Sequence, residues 1–257
     1  MDPATIAGIV LAFIAIFAAM ILEGGSPGSI FLVPPLILVF VGTLGAAMAG
    51  GMLKDTIALI DSFKRVLLSK SATYDTLVDD IVKLAEKARR EGLLALEDAM
   101  KEVQDPFLKK GLQLAIDGTD SEELAAILEA EVDAKKKADK QAAAIFTAMG
   151  GYAPTVGIIG TVIGLIHVLE NLSQPEKLGH LIAGAFVATL WGVLSANVMW
   201  LPMGAKLKRL SEIECAQMEL VIAGIINIQA GANPRLVAQK LRSLLPPGTV
   251  KEEKKAA

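Results

Sequence analysis

Residues 141–169 read QAAAIFTAMGGYAPTVGIIGTVIGLIHVL, 29 consecutive positions without an Asp, Glu, Lys or Arg. A bilayer core about 30 Å thick takes about 20 apolar residues in a helix, so this run is long enough to cross one. Three further charge-free runs stand in the chain: Pro3 to Leu22, the stretch Gly24 to Leu53 with its apolar heart from Ile30 to Met52, and Leu178 to Ala205. One such run can be a buried core helix. Four in a chain of 257 residues would leave too little polar surface to cover them. The expected fold is an all-α membrane protein with four transmembrane helices.

Composition alone is weaker evidence. Hydrophobic residues make up 53% of the chain, against about 45–50% in soluble domains; their concentration in blocks is what decides. A net charge of −3 gives no electrostatic case for nucleic acid. The single cysteine, Cys215, cannot form an internal disulfide and reads as a small buried thiol. The first run opens with Asp2 and no basic residue. It also exceeds the roughly 7–15 apolar residues of a cleavable signal, so it is expected to stay in the mature protein.

Orientation follows from Lys and Arg. Of 25 basic residues, 15 fall between Lys54 and Lys140 and nine from Lys206 onward, leaving Lys177 in the loop between the third and fourth runs. The loop Glu23 to Ser29 has none. Both termini and the long middle segment are therefore expected in the cytoplasm, and both short loops outside. This divides the chain into 1–53 (spans one and two), 54–140 (a cytoplasmic helical insertion), 141–205 (spans three and four) and 206–257 (a cytoplasmic helix and tail).

The middle segment reads as helical throughout. Leu77, Ile81, Leu84 and Ala88 recur at helical spacing, widened by Val78, Val82 and Ala85. A second helix should start near Asp120, with Glu123 three residues on, and run without a breaker into the third span. On such a helix Arg90 and Glu97, seven apart, share a face. The tail from Gly204 reads as a helix broken at Gly231-Ala-Asn-Pro234, then a short helix through Leu245, then a disordered Lys/Glu-rich end, Pro246 to Ala257.

Enzyme chemistry has no foothold. There is no phosphate-cradling loop, no His/Cys cluster at metal spacing and no nucleophile elbow. His167 and His180 sit at the outer ends of spans three and four as interface residues. Ion pathways in membranes carry an ionisable side chain at depth, and no span has one. If the chain handles ions, the carboxylate comes from another chain. What these spans offer is Gly157, Gly160, Thr161 and Gly164 in the third, and Thr189, Gly192, Ser195 and Asn197 in the fourth. Small residues let helix backbones approach closely. Thr161 and Thr189 fall at roughly 12–15 Å from the outer ends of their helices at 1.5 Å per residue. They either ring a partner's carboxylate or bond back to carbonyls one turn earlier; spacing alone favours the second. Pro154 lies inside span three and costs the Gly150 carbonyl its partner, whereas Pro202 is expected to end span four. Each is either a static kink or a hinge.

On these residues the sequence resembles a known family. Residues Pro154 to Leu169 look like the third-span signature of the MotA/PomA flagellar stator family, and Ala185 to Pro202 like its fourth span. Ala88 to Glu97 resembles the family's rotor-facing segment, and Gly231 to Arg235 its tail.

The resemblance implies five A subunits, a homo-oligomer, around a dimer of a B subunit (MotB/PomB-like) whose one membrane helix carries an ion-binding Asp. Ions passing between A and B turn the A ring against the rotor switch protein FliG. It places the ion path on Thr161 and Thr189, the coupling prolines on Pro154 and Pro202, and helix packing on Gly157, Gly160 and Gly164. The rotor contact falls on Glu97 and on Arg89 or its neighbour Arg90. No cofactor or metal is implied; the translocated ion is H+ or Na+. Sodium-driven members usually have Thr at the Thr161 position and proton-driven ones often an apolar residue, so the lean is to sodium. A TolQ/ExbB-like energiser is the alternative, but such relatives have three spans and lack the Arg89–Glu97 segment. A self-contained transporter would need its own intramembrane charge or an internal repeat.

Overall fold

The charge-free runs become helices in the computed structural model, which describes residues 4–68 and 74–245. Ten α-helices follow in order among these residues: α1 Ala4–Leu22, α2 Val33–Ala49, α3 Leu53–Leu68, α4 Tyr74–Glu91, α5 Leu96–Ala99, α6 Pro106–Ile116, α7 Ser121–Glu170, α8 Pro175–Ser195, α9 Leu201–Gln229 and α10 Pro234–Ser243. Short 3-10 turns form at Pro27–Ile30 and Leu93–Ala95, and a π-helical turn at Ala196–Trp200 joins α8 to α9. The Lys/Glu-rich tail from Pro246 lies outside the described residues.

Three of these helices are long and apolar enough to cross a membrane: α1, α7, and the continuous helix Pro175–Gln229. The second expected span is shorter than its charge-free run. Pro34 and Pro35 fix the first turn of α2 and Gly50 caps its end, leaving 17 residues or about 25 Å of helix. None of the residues of α1 is buried within the chain, although a helix that is apolar on every side needs a core or a membrane around it.

Among the described residues, contacts divide the chain into two units, 4–68 with 139–209, and 74–138 with 210–245. In the first, the Trp191 indole Nε1 donates to the Ile30 carbonyl at 2.7 Å. Phe13, Phe31 and Phe40 place their rings 5.6–6.4 Å from it, so α1, α2 and α8 meet on one aromatic cluster. A second cluster gathers Ala143, Phe146, Met149, Trp200 and Leu207. Beside it the half-buried Arg65 guanidinium donates to both oxygens of Asp139, which is only 8% exposed.

The second unit is built on the stripe read from sequence: Val78, Ile81, Leu84 and Ala85 of α4 are buried with Leu112, Leu128, Ile225 and Leu241. Three of its helices begin at side-chain caps. Asp105 Oδ1 accepts from Leu108 N at 2.8 Å, Asp120 Oδ1 from Glu122 N at 2.9 Å, and Asn233 Oδ1 from Arg235 N at 3.0 Å. The helix opened at Asp120 runs to Glu170, and the break at Gly231 is a left-handed residue with φ +64°.

One expectation is corrected, the shared helix face of Arg90 and Glu97. Gly92 takes φ +87° and ψ 165°, ending α4 at Glu91, so Arg90 and Glu97 lie on different helices. At Pro202 the helix continues into the tail, as expected. The proline sits in the first turn of α9, directly after the π turn, and the helix continues to Gln229. A proline ring clashes with the carbonyl four residues back. Here the preceding turn is widened, with the Leu201 N–H reaching back five residues to the Ala196 carbonyl.

Gly92 has open space around its missing side chain, so Gly92→Ala tests backbone strain alone. It should cost about 1–3 kcal/mol. Leu112→Ala, at a fully buried site, should cost about 2–5 kcal/mol. Both should lower the Tm followed by circular dichroism in a fixed detergent; an unchanged Tm for Gly92→Ala would contradict the strained turn.

Candidate functional site

The site begins with absent side chains. A Cβ on Gly157 would lie 2.8 Å from the Ala188 carbonyl oxygen, one on Gly160 2.6 Å from Ala188 Cβ, and one on Gly164 2.6 Å from Ala185 Cβ. On the facing helix, a Cβ on Gly192 would stand 2.6 Å from the Ala153 oxygen and 3.3 Å from Pro154 Cα. The stripe 157, 160, 164 of α7 therefore lies directly on the stripe 185, 188, 192 of α8. Both have the 3–4 residue spacing of one helix face.

At this separation short polar side chains reach across. The Thr161 hydroxyl lies 3.2 Å from the Gly157 oxygen on its own helix and 3.2 Å from the Ala185 oxygen on the other. The Thr189 hydroxyl lies 3.3 Å from the Gly157 oxygen and is hydrogen-bonded to the Thr161 hydroxyl. The back-bond one turn earlier exists for Thr161; Thr189 bonds across to α7. Four oxygens thus gather in one place, both threonines half-buried. Two hydroxyls bring only two protons, so most of the lone pairs stay free to accept. The apolar stretches on either side hold no Asp, Glu, Lys or Arg between Gln141 and Leu169 or between Leu178 and Ala205. The arrangement can accept a proton donor or a cation, but it cannot by itself neutralise one.

The two prolines are brought near each other's helices. Pro154 packs on Gly192, and a Cβ on Gly150, the residue whose carbonyl Pro154 frees, would stand 2.5 Å from Leu201 Cδ2, next to Pro202. Ser195 and Asn197 hydroxyl and amide groups donate to the Gly192 and Val193 carbonyls at 3.3 and 2.8 Å, bracing the widened turn. His167 and His180 line one cavity of about 450 Å³ with Gly160 and Gly164. His167 Nε2 is 3.9 Å from Glu170.

In the second unit Arg89 and Arg90 are exposed in the last turn of α4. With Glu86, Asn233, Pro234 and Arg235 they line a cavity of about 380 Å³. Arg235 is a cation the sequence reading passed over except as part of a tail motif, since no spacing rule connects residue 235 to residue 89. Glu97 is exposed on α5 and is not part of that lining. Next to it Lys101 donates to Asp98 at 2.8 Å and holds that carboxyl below its usual range. Among the described residues no group of His, Cys, Asp and Glu could hold a metal ion.

Comparison with known proteins agrees with this geometry. The MotA/TolQ/ExbB proton channel family matches over residues 99–220. Motility protein A of Bacillus subtilis is 39% identical over 96% of this chain and 92% of its own length. Chemotaxis protein PomA of Vibrio alginolyticus is 30% identical over 96% and 97%. The structure of C. jejuni MotAB superposes with a TM-score of 0.92 at 30% identity, covering 98% of this chain and all of that one. The flagellar MotAB stator complex from Bacillus subtilis gives 0.88 at 37%, covering 96% and 97%. On full-length identity and shared fold, the chain belongs to the MotA/PomA family of flagellar stator A subunits, multi-pass membrane proteins of the MotA/TolQ/ExbB channel family and not enzymes.

Proposed function

We propose that this chain forms a transmembrane ion channel with a B subunit and converts ion flow into torque on the rotor switch complex. The observation that carries the reading is the four-oxygen cluster of Thr161, Thr189, Gly157 and Ala185, set in spans without a carboxylate. A partner helix bearing an Asp completes it. Five A subunits around two B subunits supply that helix in the arrangement the family resemblance implies. Pro154 and Pro202, one in each helix of the site, are the places where ion occupancy can change helix geometry. Arg89, Arg90 and Glu97, exposed and outside the spans, are the charges that meet the rotor.

Four spans support this topology: α1, α2, the second half of α7, and α8. A span of 17 residues is at the lower limit of about 17–25; local bilayer thinning accommodates it. Both termini and residues 54–140 face the cytoplasm. The translocated ion is sodium, because sodium takes several oxygen ligands, whereas a proton needs only the partner's carboxylate. Driving force does not choose between them, since either ion yields about 2.3 kcal/mol per 100 mV.

Topology is tested with an impermeant thiol reagent on sealed cells. Ser26→Cys and Ser173→Cys should label from outside and Ser71→Cys, at a position outside the described residues, should not. Labelling at 71 would invert the assignment.

Ion flux in liposomes should require both chains and rise with external sodium at fixed pH and potential. Thr161→Ala should raise the sodium concentration needed for half-maximal flux about tenfold, the loss of roughly one charge-assisted contact. Conductance by the A subunit alone would disprove the shared site. Full flux without sodium, unchanged in Thr161→Ala, would assign the ion as a proton.

Reversal of Arg89 or Glu97 to the opposite charge should reduce torque in tethered cells while leaving assembly and ion leak intact. A compensating reversal on the rotor protein should restore part of it. Normal swimming by both single reversals and by the double would remove these two charges from the contact and leave Arg90 as its cation.

A further inference from the structure

The exposed side chains of α8 fall into one stripe. Ile182, Phe186, Leu190 and Val193 are exposed at spacings of four, four and three residues, which is one helix face. Four residues on, within the π turn, the same stripe presents Asn197, exposed and polar, before Leu201 returns it to apolar. Asn197 stands eight residues before Ala205, where the charge-free run ends, or about 12 Å along the helix. In the proposed topology that is inside the span. A carboxamide turned to hydrocarbon at such depth loses its hydrogen bonds with water and gains none. Polar side chains in spans face the bundle interior or a water-filled path, so at Asn197 the stripe does not face lipid.

The two ends of this amide are used differently. Nδ2 donates to the Val193 carbonyl of its own helix at 2.8 Å, which braces the widened turn. Oδ1 receives no donor among the described residues and keeps two lone pairs for something outside the chain. The threonine cluster is built the same way. Its hydroxyls reach the Gly157 and Ala185 carbonyls, and what remains to offer is acceptor. Two places on one span that spend their protons on their own chain and present oxygen outward match a cation, whose hydration shell such oxygens replace. Asn197 follows Thr189 by eight residues, toward the basic border at Lys206, Lys208 and Arg209.

We propose that the Asn197 amide oxygen is a second station of the ion path, taking the cation after the Thr161–Thr189 cluster on its way to the cytoplasm. This assignment rests on the channel reading given above. A neutral oxygen suits the exit side, because it ligates the cation without neutralising it and so lets it leave.

The test uses inverted membrane vesicles holding the chain with its B subunit, so that the cytoplasmic face lies outside. Cation efflux from the lumen is followed with sodium and pH dyes together. Asn197→Leu should cut efflux about tenfold while co-purification with the B subunit stays unchanged. Asn197→Asp keeps an oxygen ligand and adds charge, so it should hold the ion. Cation added at the cytoplasmic face should then inhibit efflux at about a tenfold lower concentration than in wild type. Neither variant has the N–H that braces the turn. Equal losses in both, with no response to cytoplasmic cation, would make Asn197 a brace only and overturn the proposal. Asn197→Cys should react with a cationic methanethiosulfonate from the cytoplasmic face and lose efflux, the native Cys215 being buried. Reaction with a lipid-soluble maleimide alone would place this face in lipid and overturn it as well. Should Asn197→Leu fail to assemble, the Asp and Cys substitutions decide the matter. Wild-type efflux left unaltered by the Leu and Asp substitutions would remove this assignment alone, whereas no efflux from wild type would remove the channel reading with it.

Discussion

The backbones of α7 and α8 approach with only alanine methyls and threonine side chains between them, and the oxygen cluster of the first unit depends on that approach. Within a bilayer, association of helices gains nothing from the hydrophobic effect and draws on packing and hydrogen bonds. Gly157, Gly160 and Gly164 against Ala185, Ala188 and Gly192 provide the packing. The same closeness sets the chemistry, because a threonine hydroxyl reaches only about one bond length past its Cβ. At ordinary helix separation Thr189 could bond only to its own helix. Here it reaches Gly157 on the other. A methyl added at Gly157 would push the helices apart and undo both effects.

A charge placed among these helices would have the opposite consequence. The contrast is Arg65 with Asp139, an ion pair in the same unit where two hydrogen bonds hold the carboxylate while it is mostly buried. Such a pair is tolerated because each charge satisfies the other, and removing one partner strands its mate. The proposed ion site could not be built that way: a carboxylate already paired to a resident cation has no reason to bind a passing one. In that proposal, helices of glycine, alanine and threonine leave the carboxylate to another chain.

What could be read from the sequence was local. Asp120 and Asn233 announce helix starts because a cap acts over two or three residues. Gly231 announces a break because Asn-Pro follows it within three positions. The apolar runs gave the apolar helices, and the stripe from Leu77 to Ala88 gave the buried face of α4. Gly92 misled because a lone glycine in a helical pattern is ambiguous: many are tolerated, and only the backbone reveals that this one takes φ +87°. The gathering of Arg235 with Arg89 and Arg90 brings together positions almost 150 apart, through the contact of α10 with α4, and no periodicity encodes that. The oxygen cluster falls between the two cases. Matching depths of Thr161 and Thr189 were legible, but the crossing of their bonds required the closeness of the backbones.

At Pro202 the helix continues through a proline. The rule that proline ends a helix assumes a turn of 3.6 residues, in which the ring meets the carbonyl four back. Widening the turn at Ala196–Trp200 removes that clash, at the cost of weaker backbone bonding. Ser195 and Asn197 reinforce the turn with side-chain donors to Gly192 and Val193. Leu201, closing it, rests on Gly150, and Gly150 is the residue whose carbonyl has no N–H to accept from at Pro154. The two weakened turns, one per helix, thus lie against each other rather than at unrelated depths. A change in helix geometry at one proline has to be taken up at the other, whereas the glycine contacts around Thr161 hold their separation. Flexibility in this pair of helices is thereby placed on the cytoplasmic side of the oxygen cluster in the proposed topology.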